Sequence, residues 1–321
     1  MPLVDMPIEQ LLAYRGSSPC PADIDAYWDG QLAAMRAVDP QPELVPAPFT
    51  SPVADCFDLY FTGTKGARIH AKLLKPKKME KPAPALLLFH GYSGHSGGWL
   101  DKLSYVGAGF VVAALDCRGQ TGYSEDVGGV KGTTYQGQII RGLDGPKEDL
   151  TMAQIFLDTA QLARVVMDMA DVDENRVGAH GGSQGGGLTL ACASLEPRIK
   201  AAYPLFPFLC DYRRVWEMDL DINAYAELRT YFRAYDPKHL REDEIFEKLG
   251  YVDVQNLAKR IRAKVLMVTG LLDTTCPPST QFAAYNKIPS EKSYVLYPDY
   301  GHEGPPLALD DAYEFFCENL L

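Results

Sequence analysis

Short apolar runs alternate with longer amphipathic stretches along most of this chain. Residues 85–89 (Ala-Leu-Leu-Leu-Phe) and 110–115 (Phe-Val-Val-Ala-Ala-Leu) are continuous in apolar character rather than alternating, the pattern of strands covered on both faces. Residues 177–179, 201–205, 264–269 and 293–297 continue the series. Between the second and third of these runs, 149–169 sets Phe156, Ala160, Ala163 and Met167 at helical spacing. Strand-like runs separated by helical ones predict a mostly parallel, twisted sheet of eight strands with helices on both faces. Ahead of it, 56–61 and 68–74 read as strands around Thr-Gly-Thr-Lys-Gly at 62–66, a hairpin that would add an antiparallel edge.

Two stretches stand outside this alternation. The first fifty residues read as an extension. Residues 22–38 carry Ile24, Tyr27, Trp28, Leu32 and Met35 with a helical period, and Pro21 sits where a helix would start. Residues 39–48 contain four prolines, which force extended backbone. The second stretch, 206–262, is too long for one crossover and is rich in Tyr, Arg, Asp and Glu. It reads as a helical insertion over the C-terminal edge of the sheet, serving either as a substrate lid or as added core or subunit contact. The expected organisation is one α/β domain over 1–321, carrying the 1–50 extension and the 206–262 insertion.

Composition narrows the class. Among 321 residues, 46% are hydrophobic and 23% charged, the range of a globular protein with a sizeable core. A formal net charge of -11 repels phosphate backbones and anionic lipid, so neither nucleic acid nor membrane is an expected partner. The seven cysteines are scattered, with no Cys-x-x-Cys, and read as reduced, mostly buried side chains rather than a zinc or redox pair. The first residues show no basic segment followed by an apolar one, and no apolar run is long enough to span a bilayer. A cytoplasmic location is the resulting expectation.

The sharpest chemical signal is Gly181-Gly182-Ser183-Gln184-Gly185. It follows the run at 177–179 and precedes a helix-like stretch at 187–194, the setting in which Gly-x-Ser-x-Gly holds a nucleophilic serine on a strained strand-to-helix turn. A serine hydroxyl needs a base. In this fold the base follows the serine and the acid in sequence, which leaves His239 and His302 among six histidines. His239 lies in the charged insertion, whereas His302 follows the last predicted strand. The acid expected at the end of the preceding strand is Asp273, with Asp299 and Asp253 as competitors. Two backbone N–H groups are needed to hold an oxyanion: that of Gln184, directly after the serine, and that of Tyr92 in the loop 90–95. Arg118, in Arg118-Gly119-Gln120, would brace neighbouring loops or bind a substrate carboxylate. No zinc motif and no nucleotide fingerprint is present, and acyl transfer through serine calls for no metal or cofactor.

Arg118-Gly119-Gln120, Gly181-Gly182-Ser183-Gln184-Gly185-Gly186 and His302-Glu303 together form a trio that resembles the signature of the acetyl xylan esterase / cephalosporin C deacetylase family, carbohydrate esterase family 7. Residues 90–99 are similar to that family's oxyanion loop, and the resemblance runs over nearly the whole chain. It implies an α/β-hydrolase fold and deacetylation of small acetylated sugars, xylooligosaccharides and the 3′-acetyl of cephalosporin C. It also implies a cytoplasmic homohexamer, a triad of Ser183, Asp273 and His302, and oxyanion donors at Tyr92 and Gln184. Two rivals stand beside it. A serine exopeptidase or acylaminoacyl-type hydrolase would need an anchor for an α-amine, for which Glu242 and Glu244 are the nearby candidates. A non-catalytic ligand-binding protein would keep the fold without the chemistry.

Overall fold

The computed structural model of the chain describes residues 4–126, 129 and 134–321. Its strands are β1 (Glu43–Pro46), β2 (Ala54–Thr62), β3 (Arg68–Pro76), β4 (Ala83–Phe89), β5 (Val111–Leu115), β6 (Val172–Gly182), β7 (Ala201–Leu205), β8 (Lys264–Gly270) and β9 (Lys292–Tyr297). They form one sheet in the order β1-β2-β3-β5-β4-β6-β7-β8-β9. Pairing is antiparallel from β1 through β2 and β3 to β5 and parallel from β5 to β9. This is the α/β-hydrolase architecture, with nine strands where eight were expected. The added strand is β1, inside the proline-rich 39–48 stretch. Proline holds φ near the extended region, and the open edge of β2 offers unpaired backbone groups to any extended neighbour. All four β1 residues are exposed, so no apolar alternation announces it.

The helices are α1 (Ile8–Ala13), α2 (Ile24–Ala37), α3 (Leu103–Gly107), α4 (Thr151–Met167), α5 (Gln184–Leu195), α6 (Tyr212–Glu217), α7 (Ala226–Tyr235), α8 (Glu242–Leu249), α9 (Val254–Leu257), α10 (Pro278–Tyr285) and α11 (Ala308–Leu320). Strand alternation explains why the central runs are apolar throughout. Leu87 and Phe89 of β4 join the core beneath α2, α4 and α5. Leu86 and Leu88 join the opposite one beneath α3 and α11. The insertion folds as α6 to α9, as its composition predicts.

The first fifty residues are an extension in sequence but not in space. Trp28 is wholly buried, stacks on Phe156 of α4 at 5.9 Å, and donates its indole N–H to the Tyr251 carbonyl at 3.0 Å. The Asn286 amide, just beyond α10, donates to the carbonyls of Leu11 and Tyr14. Asp211 of the insertion accepts the N–H groups of Ser17 and Ser18 and the hydroxyl of Tyr14. The apolar face of α2 is thus core, and the segment before it ties the insertion to the end of α10.

Candidate active site

At the end of β6 the chain turns into α5 at Ser183, whose φ of 59° and ψ of -121° lie in a region that L-residues rarely occupy. The turn is held by tight neighbours. Ser183 N–H donates to the Leu205 carbonyl at 3.0 Å and its carbonyl accepts from Phe208 N–H at 2.9 Å. A Cβ on Gly185 would fall 2.0 Å from the Phe89 carbonyl oxygen, so only glycine lets β4 end this close to the first turn of α5. The result presents Ser183 Oγ at the carboxyl edge of the parallel strands, where such sheets place their ligands.

Two further strand ends complete the group. His302 lies in the loop after β9, and its Nε2 is 2.9 Å from Ser183 Oγ. Its Nδ1 is 2.8 Å from Asp273 Oδ2. Asp273 is fully buried just beyond β8, and its other oxygen accepts the N–H groups of Thr275 and Cys276 at 2.8 and 2.7 Å. One carboxylate oxygen therefore organises its own turn while the other orients the ring. The two loops cross closely, because a Cβ on Gly270 would meet the Tyr300 carbonyl at 2.5 Å. Phe206, next after β7, packs on the His302 ring at 4.8 Å. Neither competing carboxylate reaches the ring: Asp253 caps α9, accepting from Gln255 N–H, and Asp299 is exposed.

The loop after β4 closes the other side. Gly91, Tyr92 and Ser93 line a cleft of about 580 Å³ with Ser183, His302, Thr275, Asn223, Ala224, Tyr135 and Gln136. The N–H of Gln184 opens α5, where no intrahelical acceptor exists. Among the described residues neither it nor Tyr92 N–H donates to a backbone carbonyl outside the regular elements. Gln120 ties the two together. Its amide N–H donates to Gln184 Oε1 at 2.8 Å, and its oxygen accepts Gln184 Nε2 at 3.1 Å and Ser93 N–H at 2.8 Å. His90 sets the start of the loop, accepting Cys117 N–H at Nε2 and facing the Gly91 carbonyl through Nδ1. Burial lowers its pKa, consistent with one neutral tautomer.

The remaining sequence-predicted residues lie behind or beside the cleft. Arg118 is fully buried and bidentate to Asp158 of α4, 2.6 Å at each contact, with a third bond to the Thr64 carbonyl. It braces loops and faces no substrate space, and Gly119 beside it adopts a φ of 71°. Glu303 is exposed and accepts Gly301 N–H, steadying the His302 turn. Glu242 and Glu244 pair with His239 and Arg241, away from the cleft. Sequence reasoning missed Glu227. This buried carboxylate on α7 accepts the Tyr92 hydroxyl and the N–H groups of Ile139 and Ile140. Burial raises its pKa, while those donors pull it down. Nothing local in the charged insertion separates it from a solvated glutamate. With Asn223 bonded to Thr275, it joins the insertion to both walls of the cleft.

The match to known proteins follows the same outline. A family model for acetyl xylan esterase (AXE1) covers residues 1–320. The chain belongs to the acetyl xylan esterase family. It is similar to acetyl xylan esterase 1 from Thermoanaerobacterium sp. JW/SL YS485, with 58% identity and a TM-score of 0.94, covering 98% of this chain and 99% of that one. The acetyl xylan esterase from Paenibacillus sp. R4 is 35% identical with a TM-score of 0.92, over 98% and 100% of the two chains. Acetyl esterase Axe7A from Xylanibacter ruminicola is 26% identical over 284 residues, and the match takes in 87% of this chain but 62% of that protein's length.

Proposed function

We propose that this chain is a serine carboxylesterase that removes acetyl groups from small acetylated sugars such as xylooligosaccharides, and from cephalosporin C. The observation that carries the reading is the continuous path from Asp273 Oδ2 through the His302 ring to Ser183 Oγ, with links of 2.8 and 2.9 Å. His302 Nε2 takes the hydroxyl proton as Ser183 Oγ bonds to the acetyl carbonyl carbon. Asp273 stabilises the imidazolium without taking its proton. The N–H groups of Tyr92 and Gln184 receive the oxyanion, and such a donor supplies about 2.7–4 kcal/mol of transition-state stabilisation. His302 returns the proton to the departing sugar oxygen. Water, deprotonated by the same ring, then releases acetate and restores Ser183.

The cleft supports a small neutral ester. Its volume suits a small ligand, and no carboxylate stands among its described lining residues. That leaves the α-amine of an exopeptidase substrate without an anchor. Replacing Ser183→Ala is expected to lower kcat for an acetyl ester by roughly 10⁴-fold or more with the fold retained by circular dichroism. Retention of most of the activity would overturn the assignment. Profiling acetyl, butyryl and longer esters, with acetylated xylose as the sugar substrate, reads acyl selectivity. The homohexamer belongs to the same reading, and sedimentation of the purified chain checks it.

A further inference from the structure

The acid end of the site carries a thiol for which acyl transfer has no use. Cys276 is fully buried three residues after Asp273. Asp273, Cys276 and His302 each offer one ligand atom, and these atoms all lie within 4.8 Å of one another. We propose that these three side chains form an inhibitory site for a thiophilic divalent cation of the zinc or cadmium kind. Carboxylate, thiolate and imidazole are a donor set that zinc accepts, and the sulfur disfavours magnesium and calcium, which take oxygen ligands. Zinc bond lengths of about 2.0–2.3 Å set tetrahedral donors roughly 3.5 Å apart, so the widest separation here closes by little more than about 1 Å. The His302 edge is the route in, since that ring is 24% exposed and lines the cleft together with Thr275.

Binding and inhibition follow from one exchange of ligands. The Cys276 S–H bond breaks, its proton passes to solvent, and sulfur bonds to the cation. Nδ1 of His302 gives up its contact with Asp273 and donates its lone pair to the cation, and the ring proton moves to Nε2. A ring protonated at Nε2 cannot accept the Ser183 proton, so the hydroxyl is no longer activated. Asp273 and the thiolate balance the charge of the ion. The loss of activity rests on the esterase reading above, whereas the binding does not.

Cadmium chloride is the probe, followed by the ultraviolet absorption of a cadmium–thiolate bond and by turnover of an acetyl ester. The absorption is expected in the unmodified chain and in Ser183→Ala, and the part due to Cys276 is expected to vanish in Cys276→Ala. The exposed Cys20 is controlled by Cys20→Ala, which should keep the Cys276 signal. Turnover should fall about tenfold when cadmium stands at about ten times its dissociation constant, recover on adding a chelator, and be insensitive in Cys276→Ala and in Cys276→Val, each compared with its own metal-free rate. Equal inhibition of the unmodified chain and both Cys276 variants, or no absorption difference between them, overturns the site. Full activity of Ser183→Ala would instead remove the esterase reading and leave the cadmium signal standing.

Discussion

Arg118 shows how much one buried side chain can hold. Its guanidinium and the Asp158 carboxylate are both excluded from water and meet through two bonds of 2.6 Å. Burial pushes the Asp158 pKa up, the Arg118 charge and hydrogen bonds oppose it, and the Asp126 charge adds to the rise. Removing one partner of such a pair leaves a buried charge uncompensated, which costs about 3–5 kcal/mol. Arg118→Met should therefore lower the stability to denaturant by about that amount, as read by the midpoint of a urea transition at constant slope. The sequence supplied the residue and its position at a strand end. It gave no sign of Asp158, which lies forty positions away on a helix whose apolar period conceals it.

Among the elements, the important event is the meeting of three loops. The loop after β4 carries Tyr92, the loop after β5 carries Gln120, and the start of α5 carries Gln184. The reciprocal amide bonds of Gln120 and Gln184, with the Ser93 N–H as a third partner, hold both proposed oxyanion donors in one frame. Gln120 acts on the reaction only through that frame. A leucine there keeps the volume but removes the bonds. Gln120→Leu should lower kcat by about tenfold to a hundredfold, less than the full loss of a donor, with KM nearly unchanged, in steady-state assays on an acetyl ester. A similar loss in KM alone would place Gln120 in substrate binding.

At the scale of the whole molecule, the N-terminal extension and the insertion meet at two neighbouring acids. Asp253 receives the N–H groups of Asp211, Tyr212 and Gln255, and Asp211 receives those of Ser17 and Ser18. Burial first, and then the Asp211 charge, raise the Asp253 pKa to about 6, partly opposed by Lys287. An unfolded aspartate titrates near 4. The folded chain thus holds a proton at Asp253 that the unfolded chain has released between about pH 4 and 6. The stabilisation from that proton is complete below pH 4 and is lost as pH rises through 6. Thermal midpoints of the unmodified chain, taken relative to Asp253→Asn at each pH, should fall from pH 4 to 7. A flat difference would contradict the raised value.

Much of this protein was legible along the chain. The continuous apolar runs at 85–89 and 110–115, the helical period of 149–169 and the glycine-flanked Ser183 are local patterns. They reflect burial on two faces, a 3.6-residue repeat and a strained turn, each of which leaves its mark within a few residues. The order of Ser183, Asp273 and His302 was legible too, because parallel strands deliver their loops to one edge of the sheet. Beside the Arg118–Asp158 pair, only the tertiary structure decided the pairing of exposed β1 with β2, the burial of Glu227 against Tyr92, and the approach of Cys276 to His302. Each depends on which distant backbone or side chain lies opposite. A residue's own neighbours in sequence carry no record of that, since an edge strand, a glutamate and a cysteine read the same whether water or protein faces them.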